Sequence, residues 1–100
     1  MGGNTVVYHF TIIKEGFDPD LLKALILIAV NETDLVFSRA RRKLETDFHL
    51  YAAKPVCTIK GGTECGDHLA RLLSGFLIKQ VGEDGFRVYR GVTGNGKTAA

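Results

Sequence analysis

"FLIKQVGEDGFRVYRG", residues 76–91, can be folded in two ways, and the choice sets the architecture of the chain. Taken alone, its two apolar runs flank the turn residues "GEDG", the pattern of a β-hairpin. Taken with the residues before it, Leu69, Leu72, Leu73, Phe76 and Leu77 recur at helical spacing, with Gly82 just beyond as a stop. Ser74 and Gly75 are weak helix formers and favour the hairpin. A shorter helix over 67–74, followed by a hairpin carrying Lys79, Arg87 and Arg90, would be the end of a winged-helix DNA binder, with 76–91 as its wing.

"TVVYHFTII" (5–13) is β-branched and aromatic, and Val6, Tyr8, Phe10 and Ile12 alternate onto one apolar face. "FDPD" then starts a helix. Asp18 suits the N-cap, Pro19 the first helical position, and Asp20 the positive end of the dipole. The helix is expected to run to Val30, where "NETD" interrupts and offers Thr33 or Asp34 as a new cap. In "DLVFSRARRKLETD", Phe37, Ala40 and Leu44 share one helical face, opposite Arg39, Arg42 and Lys43, and a strand at 35–40 followed by a turn is the competing reading. "DFHLYAA" (47–53) and "PVCTIK" (55–60) read as strands, with His49 and Tyr51 outward, and Thr63 can cap the next helix.

The resulting order, strand–helix–strand–strand–helix–strand, predicts an α+β fold: a ferredoxin-like βαββαβ sandwich with a four-stranded antiparallel sheet. It uses every segment, whereas the winged helix leaves the first strand without a place. One domain is expected over 1–92, with 93–100 a flexible tail.

The 100 residues, 45% of them hydrophobic and 24% charged, suit a single globular core rather than a disordered chain. A net charge of +2 makes it no polybasic protein. The longest apolar run, "LLKALILIAV", is too short to span a bilayer, so no membrane partner is expected. Two cysteines form no disulfide framework, and the N-terminus lacks the features of a signal peptide, which predicts a cytoplasmic domain with reduced thiols.

The 19–30 helix carries, after Asp20, a single charge at Lys23, and so has almost no polar face. That predicts a homo-oligomer formed through it. The second partner signal is "SRARRK" (38–43). Arg39, Arg41, Arg42 and Lys43 could neutralise nucleic-acid phosphates, although Glu32, Asp34, Glu45 and Asp47 lie close in sequence. Tyr8, Tyr51 and Tyr89 are the best candidates for stacking on bases, and His9 could join them if the sheet has an open face.

Chemistry is less visible. Cys65 in the first turn of a helix would have its thiol pKa lowered by the dipole, and His68 shares its face, so this pair is the candidate reactive thiol of a small enzyme or redox protein. His49, Cys57, Cys65 and His68 are zinc-ligand types, but no C-x2-C pair is present, so no metal site is expected. "GVTGNGKT" (91–98) matches the phosphate-loop consensus, yet no helix can follow it in the two residues that remain. A coincidental glycine-rich tail is preferred to the N-terminal fragment of a P-loop ATPase, and no cofactor is expected. The leading expectation is a small interaction module without catalytic residues, self-associating and binding a partner such as nucleic acid.

Overall fold

A computed structural model of the chain describes residues 5–51 and 54–93. Within them the order is β1 (Thr5–Ile12), α1 (Pro19–Phe37), α2 (Arg39–Glu45), β2 (Phe48–Leu50), β3 (Val56–Gly61), α3 (Glu64–Val81), a 3-10 turn (Glu83–Gly85) and β4 (Phe86–Thr93). The strands form one antiparallel sheet in the order β2-β3-β1-β4. The α+β class and the four-stranded antiparallel sheet are as the sequence pattern predicts.

The core lies between one face of this sheet and the helices α1 and α3. Phe10 and Ile12 of β1 and Cys57 and Ile59 of β3 meet Leu22, Ile26 and Ala29 of α1 and Leu69, Leu73 and Leu77 of α3. Period-2 burial on the strands and period-3.6 burial on the helices bring these residues into a single layer.

The hairpin and the winged helix built on it do not form. Residues 76–81 are the last turns of α3, and β4 pairs with β1 instead. Leu69, Leu73 and Leu77 are wholly buried, each contributing roughly 1.5–3 kcal/mol. A mid-helix glycine costs only about 1 kcal/mol. Ser74 is accommodated by donating its hydroxyl to the Ala70 carbonyl at 2.8 Å. Gly82, at φ 79°, ends the helix where the sequence places its stop.

Two boundaries differ from expectation. Helix α1 does not end at Val30 but continues through "NETD" to Phe37. Thr33, expected as a cap, is buried mid-helix and donates its hydroxyl to the Ala29 carbonyl at 2.8 Å. The break comes at Ser38, whose φ of 79° and ψ of 150° turn the chain while its Oγ accepts the Arg41 amide. Helix α2 buries none of its own residues: Leu44 is exposed, and the expected apolar stripe through Ala40 and Leu44 covers nothing. Strand β2 is also shorter than the predicted 47–53 segment, of which residues 52 and 53 lie outside the described part.

Candidate functional site

The sheet face turned away from the helices is the candidate site. Strand register defines it row by row. His49 of β2 lies opposite Thr58 of β3, Thr58 opposite His9 of β1, and His9 opposite Tyr89 of β4. One line of side chains therefore crosses all four strands on the open face. On one flank run Lys60, Val7 and Gly91; on the other run Val56, Thr11 and Arg87. Tyr51 continues the second flank, its amide donating to the Val56 carbonyl at 3.2 Å.

The aromatic rings of this face are already organised. The His9 and Tyr89 rings stack with centroids 4.6 Å apart and planes 16° from parallel. His49 and Tyr51 meet edge-to-face at 4.7 Å. Tyr89, Tyr51, Arg87 and Lys60 are exposed. A concavity of about 700 Å³ opens along His9, Thr11, Val56, Arg87 and Tyr89. The described strand residues of this face include two cations, Lys60 and Arg87, and the Asp47 carboxylate, one residue before β2, lines a concavity here with Val7, His49, Thr58 and Lys60.

Tyr8, the third tyrosine expected to stack on bases, faces the helices. Its hydroxyl donates to Asp67 Oδ1 at 2.9 Å, and the Gly62 amide donates to the same oxygen at 3.1 Å. The bond to Asp67 and partial burial raise the tyrosine pKa. Period 2 alone puts Tyr8 and His9 on opposite faces. The sequence could have excluded Tyr8 on that ground, once Phe10 and Ile12 were assigned to the core.

The four cations of the 38–43 cluster divide into two kinds. Arg41 donates to Glu45 at 2.6 Å and to Glu64 at 3.0 Å, and its guanidinium lies 5.0 Å from the Phe37 ring centroid. Arg42 pairs with Asp34. Both guanidinium pKa values rise, foremost because of these hydrogen bonds, and Glu45 falls below the usual carboxylate range beside Arg41. Arg39 and Lys43 are exposed and show no ion pair among the described residues.

Cys65 and His68 give little support to thiol chemistry. Both cysteines are buried and free. Burial, then the Glu45 carboxylate, raises the Cys65 pKa, against the lowering expected from the helix dipole. The His68 ring packs edge-on against Phe37 at 5.3 Å. Cys57 lies in the core, where burial pushes its thiol up to about 12. The zinc-type spacing is not brought together either. His49 is on the open face, whereas Cys57, one register position from His49's partner Thr58, points to the helices. No group of three or more possible metal ligands occurs among the described residues. Residues 94–98 of the phosphate-loop-like octet, with the rest of the expected tail, lie outside the described part.

No helix of the described residues is long and apolar enough to cross a membrane. No protein-family model matches the chain, and no curated protein is similar enough to be counted a relative.

Proposed function

We propose that this chain is a small ferredoxin-like interaction module that binds single-stranded nucleic acid across the open face of its sheet and self-associates through the outer face of α1. The ferredoxin-like reading is supported by the element order with two crossover helices on one sheet face. The observation that carries the binding reading is the row His49–Thr58–His9–Tyr89, with Arg87 and Lys60 in the flanking rows. Rings on an open sheet face accept bases by stacking, and cations beside them accept the phosphates. A duplex offers no free base faces to such a platform, so single strands are the favoured ligand.

Arg39 and Lys43 add phosphate contacts from the 38–43 cluster. Arg41 and Arg42 contribute less, because carboxylates already neutralise them. Self-association is supported by the exposed side chains of Leu27, Ile28 and Leu35 along the outer stripe of α1, Leu35 being 87% exposed.

The test is fluorescence anisotropy with a labelled single-stranded oligonucleotide, a duplex serving as comparison. Replacing Tyr89 or His9 by alanine is expected to weaken single-strand binding roughly tenfold each, since a stacked base is worth about 1–3 kcal/mol. Arg39→Ala with Lys43→Ala should reduce the salt dependence. Failure of the unmodified protein to bind single strands at low salt would sink the reading.

A further inference from the structure

The sheet has two edges, and they are unlike. β2 ends one side with only three residues, a short edge that gives little purchase to another strand. β4 ends the other with eight residues, "FRVYRGVT", containing no proline and no lysine. Val88 is 43% exposed and Val92 52%, both on the helix side of the sheet, where Ile78 of α3 is also exposed.

Hydrogen-bond parity identifies the backbone groups β4 offers. The Ile13 amide donates to the Gly85 carbonyl at 2.9 Å, the bond that flanks a non-hydrogen-bonded Ile12–Phe86 pair. Alternation along the ladder then makes Arg87, Tyr89 and Gly91 the residues that bond to β1. Phe86, Val88, Arg90 and Val92 direct their amides and carbonyls outward, and among the described residues these groups have no backbone partner beyond the strand.

We infer that the β4 edge pairs antiparallel with the β4 edge of a second copy of this chain, with Tyr89 opposite Tyr89 of the partner subunit on the two-fold axis. Charge and strand length together select this register. It sets Arg87 opposite Gly91 and Arg90 opposite Val88 across the axis, so that no arginine faces another. It also joins Phe86 to Val92 in apolar pairs on the helix side. Shifting the axis to Arg90 sets like charges face to face, and so does shifting it to Arg87. An axis at Val88 avoids that clash but carries Val92 past the start of the strand, into the 3-10 turn, and pairs fewer residues. With Tyr89 on the axis, residues 86–92 are matched throughout and every outward-facing residue of that span finds a partner.

The pairing closes the exposed β4 edge of each copy and makes one eight-stranded sheet. The rows His49–Thr58–His9–Tyr89 of the two copies then run end to end on one face. The contact requires neither nucleic acid nor the outer face of α1, so it stands or falls apart from the proposed function.

The experiment combines sedimentation equilibrium with cysteine cross-linking of the full chain. At a non-hydrogen-bonded antiparallel pair the Cα atoms lie about 4.5 Å apart, within disulfide reach. Tyr89→Cys is therefore expected to form a covalent dimer under mild oxidation, whereas Arg87→Cys is not. Val88→Pro removes an amide that points away from β1, and is expected to abolish the dimer while the circular dichroism of the fold remains. Gly91→Arg places a second cation opposite Arg87 and should also dissociate it, with Arg87→Glu in the same chain restoring it. A monomeric unmodified protein overturns the inference. So does cross-linking of Arg87→Cys in place of Tyr89→Cys. A dimer that survives both Val88→Pro and Gly91→Arg but is lost in Ile28→Glu would place the contact on α1 instead.

Discussion

Arg42 holds Asp34 across the break between α1 and α2, its Nε 2.6 Å from Oδ1 and its Nη2 3.3 Å from Oδ2. The two side chains are only 11% and 19% exposed. A residue that reads as part of a basic patch is thus a clamp on the end of the first helix. Two-point pairing of a guanidinium with a carboxylate in a half-sheltered position is stronger than an ordinary surface ion pair. Arg42→Ala is therefore expected to lower stability by about 1–2 kcal/mol, while Arg39→Ala changes it by less than about 0.5 kcal/mol. Urea unfolding of the two variants side by side measures the difference, and equal midpoints would refute the clamp.

Ser38 sits at the same break with φ 79° and ψ 150°, a region that favours glycine. Its backbone strain is of order 1–3 kcal/mol. Its side chain caps α2 by accepting the Arg41 amide at 3.2 Å, and glycine in place of a cap residue loses only a few tenths of a kcal/mol, roughly. Ser38→Gly is thus expected to stabilise the protein by about 1 kcal/mol, while Ser38→Val lowers stability. Thermal unfolding of both variants checks the sign, and a destabilised glycine variant would contradict this account of the turn.

Gly66 lets the first turn of α3 lie directly against the end of β3. A Cβ there would collide with the Lys60 carbonyl oxygen and crowd Gly61 Cα at 3.1 Å. That carbonyl already accepts the Thr46 hydroxyl at 2.6 Å, and Thr63, which donates to the Glu45 carbonyl at 3.0 Å, caps the helix beside it. No flexible side chain can move aside to make room. Gly66→Ala should lower stability by about 2 kcal/mol or more, despite alanine's better helix propensity. Gly75→Ala, where nothing lies within 4 Å of the added atom, should instead raise it by about 0.5–1 kcal/mol. Denaturant midpoints that moved in the same direction for both would refute the close approach.

Alkaline pH should weaken the fold through Cys57 and Tyr8. Burial raises the Cys57 pKa from 9.0 to about 12, and the bond to Asp67 with partial burial raises that of Tyr8. A group whose pKa is higher folded than unfolded binds its proton more tightly in the folded state. Its contribution is therefore complete below the unfolded pKa and is lost as pH rises toward the folded one. For Cys57 the window runs from about 9 to about 12, with a slope of up to about 1.4 kcal/mol per pH unit. Cys57→Ala should flatten the slope in that window while lowering stability at neutral pH. Unfolding followed from pH 8 upward measures it, and an unchanged slope in the variant would exclude Cys57 as the source.

Much of the fold is legible in local pattern. The Asp18–Pro19 start of α1, the Thr63 cap, the Leu69–Leu73–Leu77 stripe and the Gly82 stop are all local physics: capping, preset dihedrals and 3.6-residue periodicity. So is the alternation that sends Phe10 and Ile12 inward and leaves His9 on the other face. Sequence order alone also separates the two strand-pair halves and predicts the α+β class.

Packing between distant segments settles the places where local signals conflict or where the partner is far away in sequence. Ser74 and Gly75 argue for ending α3 early, and burial of Leu77 in a layer built by α1 and β1 overrides them. "NETD" reads as a break, yet Thr33 is drawn inside and the turn falls five residues later at Ser38. Arg41 and Arg42 read as free cations until folding brings Glu64 and Asp34 to them. Cys65 reads as an activated thiol at a helix start until packing buries it beside Glu45. The row His49–Thr58–His9–Tyr89 draws on four strands separated by up to 80 residues, and no periodicity within one segment can specify it. Local sequence fixes which way a side chain points along its own element; register between elements fixes what stands beside it.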